Sequence, residues 1–246
     1  MLDLCIAATG LVVGLLVGLT SIGGVLVVPV LVVLLGLSPH DAIPAAMASF
    51  VAPTAMALLL VHRRGELDLP ACAASWLGAA PGALAGAALL PLVPIAALLG
   101  GITAMLAASA LRVFLRPPMP TGTGFQPPRR ELALAGLAVG AISALTGTGG
   151  PVALMPILGW RGVDPRRAVM LCQGIALPVT GSASLGFAFG AGPDWRLVGL
   201  LAASTTLGVV LGMRAAPRVA THALSRLIGA MMAVAAAIIA ARLASG

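Results

Sequence analysis

An all-α, polytopic membrane fold is what this sequence predicts, and three observations predict it. Hydrophobic residues make up 60% of the 246, charged residues only 9%, and mean hydropathy is +1.10, more apolar surface than a water-soluble domain can bury. The apolar runs are long, rich in Ala, Leu and Gly, and do not alternate. Hydrocarbon offers no water to backbone polar groups, so such runs must be helices rather than barrel strands. Third, the chain repeats itself about 126 residues on, and both copies open with a glycine-broken apolar segment. The specific expectation is two inverted repeats, each one glycine-broken helical hairpin plus three transmembrane helices. The first repeat covers 1–115, a cytoplasmic linker 116–130, and the second repeat 131–246.

In chain order, a first arm over 4–19 breaks at Thr20-Ser21-Ile22-Gly23-Gly24, and a second arm over 24–37 restarts at about Val25. The arms are mostly shorter than the about 20 residues that cross hydrocarbon, whereas one straight crossing of all 34 residues would be too long. Full spans follow at 41–61, 71–90 and 94–115. The interval from Arg116 to Glu131 holds five prolines and two glycines and reads as a linker. The second half matches: an arm over 132–145, a break at Thr146-Gly147-Thr148-Gly149-Gly150-Pro151, an arm over 151–160 restarting at about Val152, then spans at 167–190, 195–213 and 222–243.

An offset of 126 pairs Pro39 with Pro165, Ala42 with Ala168, Asp68 with Asp194, Gly82 with Gly208, Gly86 with Gly212 and Pro91 with Pro217. The broken segments take one residue more, pairing Gly23 with Gly150 and Pro29 with Pro156. Gly78, Gly82 and Gly86, echoed by Gly208 and Gly212, read as close-packing faces rather than site. The start, Met1-Leu2-Asp3, has no basic region, so a cleaved signal peptide is not expected.

Arginine placement chooses between two drawings. If each broken segment crossed once, Arg63, Arg64, Arg112, Arg116, Arg129, Arg130, Arg196 and Arg242 would face Arg161, Arg166, Arg167, Arg214, Arg218 and Arg226, eight against six. If each is a hairpin returning to its own side, twelve fall on one side and only Arg196 and Arg242 on the other. The second split is the one the positive-inside rule expects. It makes the linker cytoplasmic, places both termini outside and inverts the second half relative to the first.

In that arrangement the tips enter from opposite faces and meet near the midplane, where irregular backbone survives only in protein or beside a cavity. Paired broken helices in repeated halves point to a transporter's binding site. The restarting helices aim free N–H groups and a positive dipole end at the meeting place, favouring an anion. The expected substrate contacts are Thr20, Ser21, Gly23 and Gly24 from the first tip and Thr146, Gly147, Thr148, Gly149 and Gly150 from the second. Gln173 is the further candidate, because a buried amide must find a partner, either the ligand or a nearby backbone carbonyl. Other polar residues inside spans are Ser49, Thr54, Thr180, Ser182 and Ser184, and Pro53 and Pro178 would free carbonyls and serve as hinges.

Several classes are excluded. The net charge is +7, but there is no lysine and the arginines sit singly or in pairs between apolar runs, so nucleic acid is not a partner. Cys5, Cys72 and Cys172 lack metal-ligand spacing and read as packing residues. No acidic residue lies deep in a span, which leaves a proton relay without a carboxylate. His40, His62 and His222 fall at span ends. With no nucleophile–base pair, no metal cluster and no phosphate-cradling loop, neither catalysis nor a cofactor is expected. The expected partners are the bilayer and a small anionic substrate, with a homo-oligomer left open; a carboxylate carrier and a non-transporting scaffold are the rival readings.

The Gly23-Gly24 pair followed by Pro29 and Leu31, the Thr146 to Pro151 run, and Gly65-Glu66-Leu67-Asp68 recurring as Gly192-Pro193-Asp194-Trp195 together resemble the sulfite exporter TauE/SafE family, also called toluene-sulfonate uptake permeases. The resemblance covers essentially the whole chain. It implies a bacterial inner-membrane permease of small sulfur-containing anions such as sulfite, sulfoacetate or aryl sulfonates. One departure from the family pattern is Ile22 and Val25 where glycine is usual, which implies a first half of the site that is narrower or less suited to an anion.

Overall fold

The computed structural model describes residues 2–21, 23–94, 128–189 and 193–219, together with scattered residues of 96–111 and 223–241. Every regular element among them is helical. Helix α1 spans Leu2–Thr20 and, after a 3-10 turn over Gly23–Leu26, α2 returns over Val27–Leu35. Then come α3 (Pro39–Arg63), α4 (Leu69–Leu89), α5 (Arg129–Thr146), α6 (Pro151–Trp160), α7 (Pro165–Ala188) and α8 (Trp195–Ala215). Among the described residues, α1, α3, α4, α7 and α8 are long and apolar enough to cross a membrane. The described residues of 96–111 and 223–241 are helical too. Most of the spans expected at 94–115 and 222–243, the linker up to residue 127, and Ile22 lie outside the described residues.

Helix boundaries follow from local chemistry. Ser38 caps α3, its Oγ accepting the Asp41 amide at 3.3 Å. Asp68 Oδ1 accepts the Ala71 amide at the start of α4, and Asp194 Oδ1 accepts the Arg196 and Leu197 amides at the start of α8. Such caps are each worth about 1 kcal/mol. The first arms are longer than the expected 4–19 and 132–145. Asp3 and Glu131 fall within the first turns of α1 and α5, where the positive end of the helix dipole stabilises a carboxylate and lets the helix begin earlier.

Glycine faces close the two most extensive helix pairs, α1 on α8 and α5 on α4. The space a Cβ would need at Gly14 is filled by the Thr205 carbonyl, and at Gly140 by the Ala79 carbonyl. Gly208 and Gly212 likewise meet the Leu11 and Leu15 carbonyls, while Gly82 and Gly86 meet those of Leu137 and Ala141. Each contact recurs 126 positions on. The expected close-packing faces therefore form, and each joins a helix of one half to the hairpin of the other. In hydrocarbon, where burying apolar area drives little association, such backbone approach supplies the packing.

The buried side chains fall into two clusters, one mainly from α1, α2, α3 and α8 and the other mainly from α4 to α7. They meet along α3 and α7, where the Thr54 and Thr180 hydroxyls lie 3.0 Å apart. Pro178 lacks an N–H and so leaves the Gly174 carbonyl without its helical donor; Trp76 Nε1 reaches from α4 to that oxygen at 2.9 Å. Large apolar side chains such as Leu4, Leu77 and Leu185 stand exposed on the helix surfaces, which hydrocarbon would cover.

Candidate functional site

Both breaks begin with a left-handed residue. Ser21 (φ 63°) and Gly147 (φ 66°) stand 126 positions apart, and their amides close α1 and α5 on the Val17 and Ser143 carbonyls at 2.8 and 2.9 Å. A side chain in this conformation costs about 1–2 kcal/mol. At Ser21 it is held by Oγ donating to the Val169 carbonyl of α7 at 3.2 Å. The one-residue shift pairing Gly23 with Gly150 thus enters after this residue. The helix restart expected at Val25 is corrected as well: residues 23–26 form a 3-10 turn, and α2 proper starts at Val27. The second restart, at Pro151, lies one residue before the expected Val152.

The two loops touch. A Cβ on Gly24 would lie 2.8 Å from the Thr148 carbonyl, and the ring of Phe50, midway along α3, packs against both Gly24 and Gly149. Gly150 faces Val179 of α7, the neighbour of Thr180. The nine loop residues expected to contact substrate, and Gln173, are all buried, with Thr146 the most exposed of the polar ones at 8%. None of these loop residues lines either of the cavities described below.

Donor accounting separates the hydroxyls from the backbone. Thr20 Oγ1 donates to the Leu16 carbonyl at 2.8 Å and Ser21 Oγ to Val169, so neither proton is left for another acceptor. Thr146 and Thr148 share one hydrogen bond of 3.0 Å, leaving one of their two protons available. The amides of Thr148, Gly149 and Gly150 hydrogen-bond no described residue. Gly149 (φ 75°) and Gly150 (φ 102°) are left-handed in succession, a backbone that glycine adopts without steric cost, so two of the three amides stand on positions without side chains. Gly23 and Gly147 use their missing side chains against protein: a Cβ would meet the Val13 carbonyl and Val17 amide at the first, and Val28 and Ile43 at the second.

Gln173 joins the first loop. Its Nε2 donates to the Val17 carbonyl at 3.0 Å, so the carbonyl partner foreseen for a buried amide is present. A carbonyl can only accept, so the amide orientation is fixed by chemistry. Oε1, buried, is left without a partner among the described residues, as is Ser143 Oγ. Phe50, Val179 and Ser143 were not foreseen from sequence. A lone phenylalanine in an Ala-rich helix was the available signal for the first; nothing local distinguished the other two.

A cavity lies beyond each end of this layer. One, of about 1200 Å³, is lined by the starts of α3 and α8 and the end of α4, including Asp41, Asp194 and Pro91. The other, of about 530 Å³, is lined by Asp68, Arg167, Pro217 and Leu19, at the starts of α4 and α7 and the end of α8. Val169, whose carbonyl Ser21 bonds, forms part of its wall. All seven acidic residues of the chain lie at helix ends. Among the described residues no cluster of His, Cys, Asp and Glu could hold a metal ion.

A family model described as Sulfite exporter TauE/SafE matches residues 6–239. No curated protein and no solved structure matches the chain.

Proposed function

The chain belongs to the sulfite exporter TauE/SafE family, and from that premise we propose that it carries a small sulfur oxyanion such as sulfite or an organosulfonate across the bacterial inner membrane, held between its two glycine loops. The observation that carries this reading is the run of buried, unpartnered amides at Thr148, Gly149 and Gly150. Buried N–H groups without partners are expensive, and an oxyanion satisfies several at once while needing no fixed counter-charge. The remaining hydroxyl proton of the Thr146–Thr148 pair adds one donor. Binding without a cation favours release, which a carrier requires.

The same reading takes the halves as inverted repeats. In its favour are the contacts that recur 126 positions apart, the Thr54–Thr180 pair on the line between the halves, and cavities at opposite ends built from corresponding residues, Asp194 with Pro91 and Asp68 with Pro217. Since none of the described loop residues lines either cavity, movement of the anion on this reading requires one side to open at a time. On this reading the 530 Å³ cavity, with Arg64 and Arg167 in its lining, is the cytoplasmic one, and the arginine distribution supports that choice.

Uptake of labelled sulfite and of labelled acetate into proteoliposomes tests the proposal. Sulfite flux that saturates and is blocked by excess sulfonate supports it. Acetate flux at equal or higher rate would replace the sulfur anion by a carboxylate, and no flux of either, with a stable protein partner co-purifying, would make the chain a scaffold.

A further inference from the structure

We propose that the ion pair between Arg167 and Asp68 is a latch holding the smaller mouth shut, and that the corresponding positions at the larger mouth, Asp41 and Asp194, are its repulsive counterpart. Arg167 Nη2 donates to Asp68 Oδ2 at 2.9 Å, joining the first turn of α7 to the cap of α4. Both residues line the 530 Å³ cavity. Subtracting 126 from Arg167 gives Asp41, and adding it to Asp68 gives Asp194. Asp68 and Asp194 do the same job for their helices, each accepting first-turn amides through Oδ1. One exchange, arginine for aspartate, therefore turns an attractive pair into two like charges facing one cavity of 1200 Å³.

The surroundings reinforce the difference. At the smaller mouth Arg64 donates to the Met213 carbonyl at 2.9 Å, tying the end of α3 to the end of α8. At the larger mouth Arg196 is engaged by Asp3 at 2.8 Å, and Asp41 is bonded by Ser38 of its own capping turn. Neither Asp41 nor Asp194 has an ion-pair partner among the described residues. The two latch side chains are 33% and 35% exposed, so the pair is wet enough to break within a working cycle.

The test uses thiol accessibility in protein held in nanodiscs, where both faces meet the reagent. Cys72 lines the smaller cavity, and with Cys5→Ala and Cys172→Ala it is the sole reporter of that mouth. Ala45→Cys, with Cys72→Ala added, reports the larger cavity. Arg167→Gln is expected to raise the maleimide labelling rate of Cys72 about two- to five-fold, the population shift a partly exposed ion pair supports. It should lower that of Ala45→Cys, while Arg167→Lys leaves both near wild type. Asp41→Arg, which puts a guanidinium into the cavity that Asp194 also lines, is expected to slow labelling at Ala45→Cys. Faster labelling at both mouths in Arg167→Gln would mean general loosening, and unchanged Cys72 labelling would mean a decorative pair; either overturns the latch. No substrate enters this measurement, so its failure leaves the anion site standing, and absent flux leaves the latch standing.

Discussion

Alanine at Gly150 separates backbone conformation from bulk. A Cβ there would lie 3.4 Å from the Val179 side chain, ordinary contact distance, so a methyl group fits. The conformation does not suit it: φ is 102°, a region that costs a non-glycine residue about 1–3 kcal/mol. At 1.4 kcal/mol per factor of ten, the amide-presenting turn becomes about five- to 150-fold less populated, and anion affinity falls by the same factor. Sulfite uptake measured over a concentration series should therefore show a raised half-saturation concentration. Gly181→Ala is the control, with nothing within 4 Å of its Cβ and a helical backbone. It should leave uptake unchanged and add up to about 1 kcal/mol of helix stability. Wild-type half-saturation in Gly150→Ala, at equal amounts of monodisperse protein, would show that the left-handed turn does not hold the substrate.

Leucine at Gly14 or at Gly140 should lower the thermal unfolding midpoint in detergent by an amount matching about 1–3 kcal/mol or more of overpacking; two variants as stable as wild type would remove the close-packing role of these faces. Gln173→Leu removes both the bond to Val17 and the unpartnered Oε1. Since a free acceptor repels a bare oxyanion but accepts from an O–H, wild-type sulfite uptake should fall as pH rises and the substrate loses its proton. In Gln173→Leu that slope should flatten, and an equal slope in both proteins counts against contact with the substrate. A cysteine placed between Arg116 and Arg130 should be shielded from an impermeant thiol reagent in intact cells, and one appended after Gly246 labelled, with Cys5, Cys72 and Cys172 replaced first; reversed labelling overturns the orientation. With every carboxylate at a helix end, an inside-negative potential alone, at about 2.3 kcal/mol per charge per 100 mV, should drive anion export. Flux of a permanently ionised sulfonate that followed a pH gradient and ignored a clamped potential would refute this.

The fold was legible because the bilayer imposes it: backbone groups deprived of water must bond within a helix, so run length and composition alone placed α3, α4, α7 and α8 within a few residues of where they lie. The glycine breaks were legible for a related reason, since an apolar run too long for one crossing and interrupted by glycines must change direction, and it does so once in each copy of the repeat. Restart details were not. Whether the chain resumes at Gly23 as a 3-10 turn or an α-helix depends on what fills the space beside it, here the backbone of α1.

Sequence by itself determined the helical membrane class, the duplication at 126 residues, the glycine faces and the family. Only the tertiary structure decided which donors remain for a ligand. Thr20, Ser21, Thr146 and Thr148 look equivalent as letters, yet the first two give their protons to the Leu16 and Val169 carbonyls while the glycine amides beside Thr148 keep theirs. It decided, too, that Arg167 meets Asp68 across 99 positions of chain while Asp41 and Asp194 share a cavity. Hydrogen bonding and ion pairing act over about 3 Å, and no property of one residue or its neighbours in sequence states which distant group will come within that range.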